Sequence, residues 1–185
     1  MKTEKEKMLA GENYFGNDKE LSIERAKAKK LLHKLNVTEY AMNSNSRAIL
    51  KELLPNAHKR LYIELPFHCD YGYNIHLGEN VYFNVNCVVL DSTKVTIGSN
   101  VLIGPGVHIY TSTHPLDAIE RRGMQFSKPV SIGDDCWIGG TVVICPGVTI
   151  GNGCTIGAGS VVTNDIPDNS LAVGNPAKVI RKLIP

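Results

Sequence analysis

The chain has 185 residues, of which 43% are hydrophobic and 21% are charged, and this is sufficient for one globular domain. A net charge of +2 excludes the strong positive field with which proteins bind nucleic acids or anionic membranes. The N-terminal sequence has no apolar core typical of a signal peptide, and no segment approaches the roughly 18 apolar residues of a membrane span, so we expect a cytoplasmic protein. Five cysteines without a Cys-x-x-Cys pair indicate reduced thiols rather than a disulfide framework or a zinc site.

We predict that residues 1–58 form a small helical segment, which packs on the rest of the chain, residues 59–185. Leucine and isoleucine recur imperfectly along one side of a first predicted helix, from Lys19 to Leu35. A second helix is predicted from Ser44 to Leu54, because Asn and Ser side chains can cap its start and Pro55 follows its end. The lysines and glutamates of this segment are expected to form a solvated surface.

A period of six residues dominates the second part of the chain. The sixfold positions are Val130, Cys136, Val142, Val148, Cys154, Ser160 and Ile166. Two places further on in each hexad lie Ile132, Ile138, Ile144, Ile150, Ile156 and Val162, usually followed by a turn-forming glycine. The same register appears upstream at Ile75, Val81, Cys87, Val95, Val101 and Val107. It breaks near residues 93–94 and at a long insertion, residues 111–129, and both breaks fall between groups of three hexads.

Three hexads therefore behave as one turn of a solenoid. In each hexad two inward apolar side chains flank one outward residue, which makes a short strand followed by a corner. One such unit cannot bury its apolar edge alone, but stacked turns form parallel ladders around a continuous core. A β-sandwich would need hairpin turns at roughly 8 to 12 residue spacing, which this region lacks. We predict an all-β solenoid shaped as a prism, whose handedness the spacing leaves open.

The repeat decays after Pro167, and Pro176 predicts the start of a short C-terminal helix. Lys178, Arg181 and Lys182 form a basic cluster there, which is either a solvated helix end or a phosphate site.

The insertion at residues 111–129 is the main candidate for function, because long loops on rigid scaffolds commonly carry binding and catalytic residues. His114 stands near its start, and Pro115 favours an extended backbone at the histidine. Histidine side chains titrate near pH 6.5, so a neutral imidazole at pH 7 can accept a proton.

An ordered set of motifs extends over almost the whole chain. These motifs are Met8-Leu-Ala-Gly, His114-Pro-Leu-Asp, Trp137-Ile-Gly-Gly, Pro146-Gly-Val-Thr-Ile-Gly, Gly157-Ala-Gly-Ser-Val-Val-Thr and Val173-Gly-Asn-Pro-Ala-Lys-Val-Ile-Arg. The set resembles the maltose and galactoside O-acetyltransferase family. The resemblance implies a left-handed parallel β-helix and a homotrimer with its sites between subunits. It also implies direct acetyl transfer from acetyl-CoA to a sugar hydroxyl, with no metal required.

The resemblance also implies roles for individual residues. His114 matches the general base, and Asn84 matches an active-site asparagine, although asparagine also suits a left-handed corner. Asp70 and Asp91 match acceptor contacts, and Asp91 could alternatively orient His114. For the cofactor, the matching positions lie beside the thioester (Gly140), along the outer coils (Ala158, Thr163 and Asn164) and near the CoA phosphates (Lys178 and Arg181). Trp137 could pack on the pantetheine arm or cover a subunit interface.

Three positions depart from the family pattern. Gly140 replaces a serine of the galactoside enzymes, so backbone N–H groups would have to stabilise the oxyanion. Phe15 replaces an expected acceptor-binding carboxylate, and Gln125 stands near a common glutamate, so the sugar and the partner that orients His114 stay open.

Two alternatives share the fold. A γ-carbonic-anhydrase-like enzyme would hold zinc with three convergent histidines, for which the candidates are His76, His108 and His114. A non-catalytic trimeric scaffold would keep the prism without its chemistry.

Overall fold

Short parallel strands wind into a three-sided left-handed β-helix in the computed structural model, which describes residues 1–38 and 43–184. One face has seven strands: β1 (Tyr62–Ile63), β4 (Tyr82–Phe83), β7 (Leu102–Ile103), β12 (Trp137–Ile138), β15 (Thr155–Ile156), β17 (Ser170–Gly174) and β18 (Ala177–Lys182). The second has five: β2 (Phe67–Cys69), β5 (Cys87–Leu90), β8 (His108–Tyr110), β13 (Val143–Ile144) and β16 (Val161–Val162). The third has four: β3 (Ile75–Leu77), β6 (Val95–Ile97), β11 (Val130–Ile132) and β14 (Thr149–Ile150).

The hexad prediction is confirmed. Along the strands, inward apolar residues are buried and the residue between them faces outward, as in the buried–exposed–buried pattern of β2. The solenoid also begins one coil earlier than the period indicated, because Tyr62 and Ile63 pair in register with Tyr82 and Phe83. We call one turn of three strands a coil.

Tight stacking explains the glycine that follows many strands. Gly104 has an ordinary φ, but a Cβ there would lie 2.6 Å from the peptide nitrogen of Gly140 in the next coil. The left-handed residue comes two places later, at Gly106 and, in the coil before it, at Asn86 with φ 62°. The suggestion that Asn84 occupies a left-handed corner is therefore wrong, because the chain reverses at Asn86 instead.

A ladder of side chains connects the coils at the corner between the four-stranded and seven-stranded faces. The Glu79 N–H donates to Ser99 Oγ at 3.1 Å, and the Ser99 N–H donates to Asp134 Oδ1 at 2.6 Å. The Asp134 N–H donates to Asn152 Oδ1 at 2.8 Å, and the Asn152 N–H to Asp168 Oδ1 at 2.7 Å. Each polar side chain thus satisfies a peptide N–H of the preceding coil.

Three helices precede the prism: α1 (Glu4–Leu9), α2 (Lys19–Asn36) and α3 (Ser44–Leu53). The last two confirm the predicted helices, whereas α1 was not predicted and is opened by a capping box between Thr3 and Glu6. Leucines of α2 and α3 join the same buried cluster as the prism interior, so the core is continuous. Among the described residues, no helix is long and apolar enough to cross a membrane.

The predicted C-terminal helix is wrong. Gly174 pairs with Ala177 across the two-residue turn Asn175-Pro176, and residues Ala177–Lys182 return as the antiparallel strand β18. Pro176 lies in a turn rather than in a first helical position, because Gly174, with φ 104°, has already redirected the chain.

Replacing Gly104 by alanine should destabilise the protein by at least about 3 kcal/mol, because the added Cβ would force two coils apart. The Gly106→Ala variant is the matched control. Gly106 has φ 65°, but the nearest atom to an added Cβ is 3.5 Å away, so only left-handed strain of about 1 to 2 kcal/mol is expected. Denaturant unfolding at equal protein concentration measures both losses, and equal losses would contradict the stacking argument.

Candidate active site

The long corners of the prism all lie between the five-stranded and four-stranded faces. They consist of residues 70–74, 91–94 and 111–129. We call this edge the His114 corner. Its extra residues, together with the N-terminal segment, enclose an open cleft of about 340 Å³. The cleft is lined by Gly16, Asn17, Arg25, Asp70, Tyr71, Leu90, Ser92, Ser112, His114 and Gln125. His114 and Asp70 thus line the same cleft.

His114 is exposed and held by a main-chain contact. Its Nδ1 lies 3.1 Å from the carbonyl oxygen of Met124. Because a carbonyl can only accept, Nδ1 carries the proton, and in the neutral ring Nε2 keeps the lone pair that a general base needs. The partner that orients the imidazole is therefore a backbone oxygen, which residue types alone could not indicate.

The loop that carries His114 is fixed at both ends. Strands β9 (Ser112–Thr113) and β10 (Phe126–Ser127) form an antiparallel pair, and the short 3-10 helix Glu120–Arg122 lies between them. Tyr14 and Gln125 exchange two backbone hydrogen bonds of 2.9 and 3.1 Å, and Gln125 Nε2 donates to Tyr14 Oη at 2.8 Å. Gln125 therefore clamps the loop to the N-terminal segment instead of contacting His114.

Asp91 lies behind the cleft and is completely buried. Its carboxylate accepts hydrogen bonds from the N–H groups of Asp70 at 3.0 Å, Tyr71 at 2.8 Å and Gly72 at 2.7 Å. Burial raises the pKa of Asp91 to about 7, although these N–H donors favour the ionised form. The Asp91 carboxylate thus binds the peptide groups of the turn that carries Asp70. It is not exposed to an acceptor in the cleft, and it does not orient His114.

Asp70 is partly buried and faces the cleft. Burial raises the pKa of its carboxyl group, while the positive charges of Arg25 and Lys29 lower it. Its carboxylate is therefore a group that could accept hydrogen bonds from hydroxyls.

Seven of the ten residues that line the cleft were not predicted from the sequence, among them Arg25, Ser92 and Ser112. The two serine hydroxyls lie 2.6 Å apart. Their separation of 20 residues equals that of Leu90 and Tyr110, which pair in adjacent coils, so the register could have identified this pair. Arg25 comes from α2, and no periodic pattern connects it to the prism.

A second group of predicted residues lies at the corner between the seven-stranded and five-stranded faces, which we call the Gly140 corner. Asn84 lies there two coils before Gly140, and Ala158 lies one coil after it. Asn84 Oδ1 accepts the Val85 N–H at 2.8 Å, so its Nδ2 remains as an outward donor. Within the described part of the chain no acceptor takes the N–H of Gly140 or Ala158. These peptide groups can donate to a ligand oxygen.

The structure separates the two corners within one chain. They flank the five-stranded face, and at about 3.3 Å per residue the four residues of β5 alone span roughly 13 Å. Thr163 and Asn164 follow β16 and lie on the His114 side, two coils beyond Tyr110. Asn84 and His114 are consequently not brought together by a single chain.

The remaining predicted residues belong to the seven-stranded face. Trp137 points outward from β12 and is 57% exposed. Lys178 and Arg181 are exposed on β18, where they pair with Val173 and Leu171.

The three candidate zinc ligands are dispersed in the chain. His76 lies on the four-stranded face, His108 on the five-stranded face and His114 in the inserted loop. In residues 1–38 and 43–184, no three histidine, cysteine or acidic side chains gather as a metal site.

Comparisons with known proteins give a consistent result. Residues 7–58 match the family described as maltose acetyltransferase hexapeptide capping motif, and residues 129–164 match bacterial transferase hexapeptide (six repeats). A maltose O-acetyltransferase structure from Clostridium difficile 630 superposes with a TM-score of 0.97 at 49% identity, covering 100% of this chain and 99% of that one. A galactoside acetyltransferase in complex with coenzyme A gives a TM-score of 0.95 at 38% identity, covering 100% and 92%. A Vibrio cholerae hexapeptide-repeat acetyltransferase complexed with acetyl coenzyme A gives 0.88 at 38% identity, covering 100% of both chains.

The Asp91→Asn variant should lower the free energy of unfolding by about 1 to 3 kcal/mol, because an amide NH₂ would face a buried peptide N–H. Asp165→Asn is the matched control. Asp165 is exposed, and from residues 1–38 and 43–184 its carboxylate accepts one hydrogen bond, from the Thr149 N–H at 2.7 Å, so an amide oxygen can replace it with little loss. Denaturant unfolding compares the two variants. If Asp91→Asn proved as mild as the control, the three N–H contacts would not stabilise the cleft.

Proposed function

This chain belongs to the maltose and galactoside O-acetyltransferase family of hexapeptide-repeat proteins and is an acetyltransferase, and we propose that it acetylates a sugar hydroxyl. The acceptor is of the maltose, glucose or galactoside class, and the donor is acetyl-CoA. The observation that carries the proposal is the contact between His114 Nδ1 and the Met124 carbonyl oxygen, which leaves Nε2 as the proton acceptor beside an open polar cleft. The five free cysteines fit a reducing compartment, so we place the reaction in the cytoplasm.

His114 acts as the general base. Its Nε2 takes the proton of the acceptor hydroxyl as the oxygen attacks the acetyl carbonyl, the C–S bond breaks, and the imidazolium returns the proton to the departing sulfur. The thioester supplies the activated acetyl group, so no covalent acyl-enzyme is required. General base catalysis of this kind contributes roughly 10² to 10⁴ in rate.

The acceptor binds in the cleft at the His114 corner. Asp70 accepts hydrogen bonds from its hydroxyl groups, and the paired hydroxyls of Ser92 and Ser112 offer further polar contacts. We assign Asp91 a positioning role, because its carboxylate organises the turn at residues 70–72 from behind.

The donor binds along the Gly140 corner and the outer coils. The N–H of Gly140 is suited to the developing oxyanion, a contribution of roughly 3 kcal/mol. Asn84 Nδ2 is a further donor of the same corner, two coils away. Ala158, Thr163 and Asn164 contact the arm of the cofactor, and Lys178 and Arg181 bind its phosphates. Trp137 keeps two interpretations, packing on the pantetheine arm or covering a subunit interface.

A homotrimer explains how the two corners form one site. The Gly140 corner of one subunit meets the His114 corner of its neighbour, so that Asn84 and His114 come from different chains. An exposed apolar stripe on the seven-stranded face, Tyr62, Leu102 and Trp137, supports burial against another copy, since it is 41 to 57% exposed in the single chain. The comparisons favour this enzyme over a zinc hydratase or a non-catalytic scaffold, because the structure at 49% identity is a maltose O-acetyltransferase.

Replacing His114 by alanine should reduce acetyl transfer by about 10² to 10⁴ while leaving the oligomer folded, because the side chain makes one loop contact. Thiol release from acetyl-CoA measures the rate, with maltose, glucose, galactosides and chitin fragments as acceptors. His68→Ala is the control, since this histidine is exposed on β2. Turnover of His114→Ala at the wild-type rate would refute the general base.

Mixed trimers of Asn84→Ala and His114→Ala subunits should recover activity that neither variant has alone. If each site takes Asn84 from one chain and His114 from another, random mixing at equal amounts leaves about one quarter of the sites intact in a cyclic trimer. The two variants are unfolded together, refolded and assayed against each pure variant treated identically. Absence of recovery in a correctly assembled mixture would contradict the shared site.

A further inference from the structure

Arg25 of helix α2 lines the proposed acceptor cleft. Arg25 Nη1 donates to the Tyr71 hydroxyl at 2.6 Å, and Nη2 donates to the Gly16 carbonyl at 2.6 Å and to Ser22 Oγ at 3.3 Å. The guanidinium carbon lies 5.7 Å from the centre of the Tyr71 ring. Arg25 is therefore anchored at two edges of the cleft, on the N-terminal segment and on the first coil.

Arg25 also lies beside Asp70 without pairing with it directly. Among the described residues the guanidinium forms no ion pair with any carboxylate. Its charge nevertheless opposes the effect of burial on the Asp70 carboxyl group. Because the two side chains line the same cleft, the carboxylate keeps its lone pairs for a ligand while a cation stands nearby.

We propose that Arg25 is a positioning residue of the acceptor site, which presents Asp70 as an anionic acceptor for the vicinal hydroxyls of a polyol. This inference rests on the proposed function. It assigns the helical segment a part in acceptor binding, since a residue of α2 completes a cleft that the coils only partly enclose.

The chemistry of the cleft fits a neutral polyol. An ionised carboxylate accepts hydrogen bonds only, so it binds two adjacent hydroxyl groups well, whereas its protonated form loses part of this capacity. The charged and titratable groups around Asp70 are Arg25 and Lys29 on α2, Cys69, Tyr71 and Asp91 in the coils, and His114 in the same cleft. Arg25 is the larger of the two cationic influences, and Lys29 the smaller.

The sign of the effect follows directly. Removal of the Arg25 charge leaves burial unopposed, so the pKa of Asp70 rises and the carboxyl group takes up a proton at higher pH. Acceptor binding should then weaken as the pH falls, with a midpoint above that of the wild type.

The experiment compares wild type, Arg25→Gln, Arg25→Lys and the control Arg60→Gln. Arg60 pairs with Glu79 on the surface, with 61% of its side chain exposed. The acceptor KM is measured from pH 5 to 9, together with the acetyl-CoA KM. Arg25→Gln should shift the midpoint of the pH dependence of the acceptor KM upward, so that the acceptor KM rises most at the acidic end of this range. Arg25→Lys should restore the midpoint, and neither the acetyl-CoA KM nor the control should change.

A titration of the Asp70 carboxyl by carbon NMR provides a readout that needs no turnover. An upward shift of its pKa in Arg25→Gln supports the inference, and an unchanged pKa or acceptor midpoint overturns it. A lower kcat together with equally raised KM values for both substrates, at every pH, would assign Arg25 a structural role only. If the wild type transferred acetyl to no hydroxyl of the panel, the proposed function would fail, and the NMR shift would still decide the electrostatic part.

Discussion

The distance between coils is the constraint on which the rest of the structure depends. Parallel strands in register lie about 4.8 Å apart, and every face of the prism repeats this spacing because successive coils exchange backbone hydrogen bonds. A Cβ at Gly104 or Gly139 would therefore come within 2.6 Å of a backbone nitrogen in the next coil. The corner must also turn within three residues, which places a left-handed residue at its end, such as Gly106 or Thr141. The glycines after the strands and the left-handed residues at the corners are thus both consequences of the distance between coils.

The Gly140 corner and the His114 corner are built in different ways. At the Gly140 corner the peptide N–H groups of Gly140 and Ala158 have no acceptor among the described residues, so the repeat itself leaves donors for a ligand. At the His114 corner the repeat is interrupted, and residues distant in sequence must be fixed by other contacts. Asp91 supplies one such contact through three peptide N–H groups, and Gln125 supplies another by joining the loop to Tyr14.

The sequence predicted the features that follow from periodicity. Its hexads identified the prism, its inward residues and the site of the insertion, and its motifs identified the family. The first coil lies within the predicted prism of residues 59–185, but its hexads were not recognised because two extra residues between Phe67 and Ile75 disturb the register. The prediction of a C-terminal helix was wrong because proline is common both in a first helical turn and in a tight hairpin. Gly174, with its positive φ, favours the hairpin. The assigned roles of the individual site residues stay predictions.

Contacts that depend on the main chain or on distant segments could not be read from residue types. The carbonyl that orients His114 belongs to Met124, and any residue there would offer the same oxygen. Arg25 reaches Tyr71 across 46 positions, from a helix whose pattern indicated only a packed annex with a solvated surface.

On the proposed function, this division has a consequence for specificity. In the donor half of the site, the peptide groups of Gly140 and Ala158 stand at regular corners, where a change of residue is limited by the spacing between coils. The acceptor half combines side chains from α2, from the enlarged turns and from the insertion, none of which the spacing restricts. Of the two positions that the resemblance marked as departures, Gln125 lines this second half and Phe15 directly precedes its lining residue Gly16. Sequence change there can alter the acceptor while the prism and its peptide donors keep their geometry, and the cleft around Asp70 is consequently where the identity of the sugar is decided.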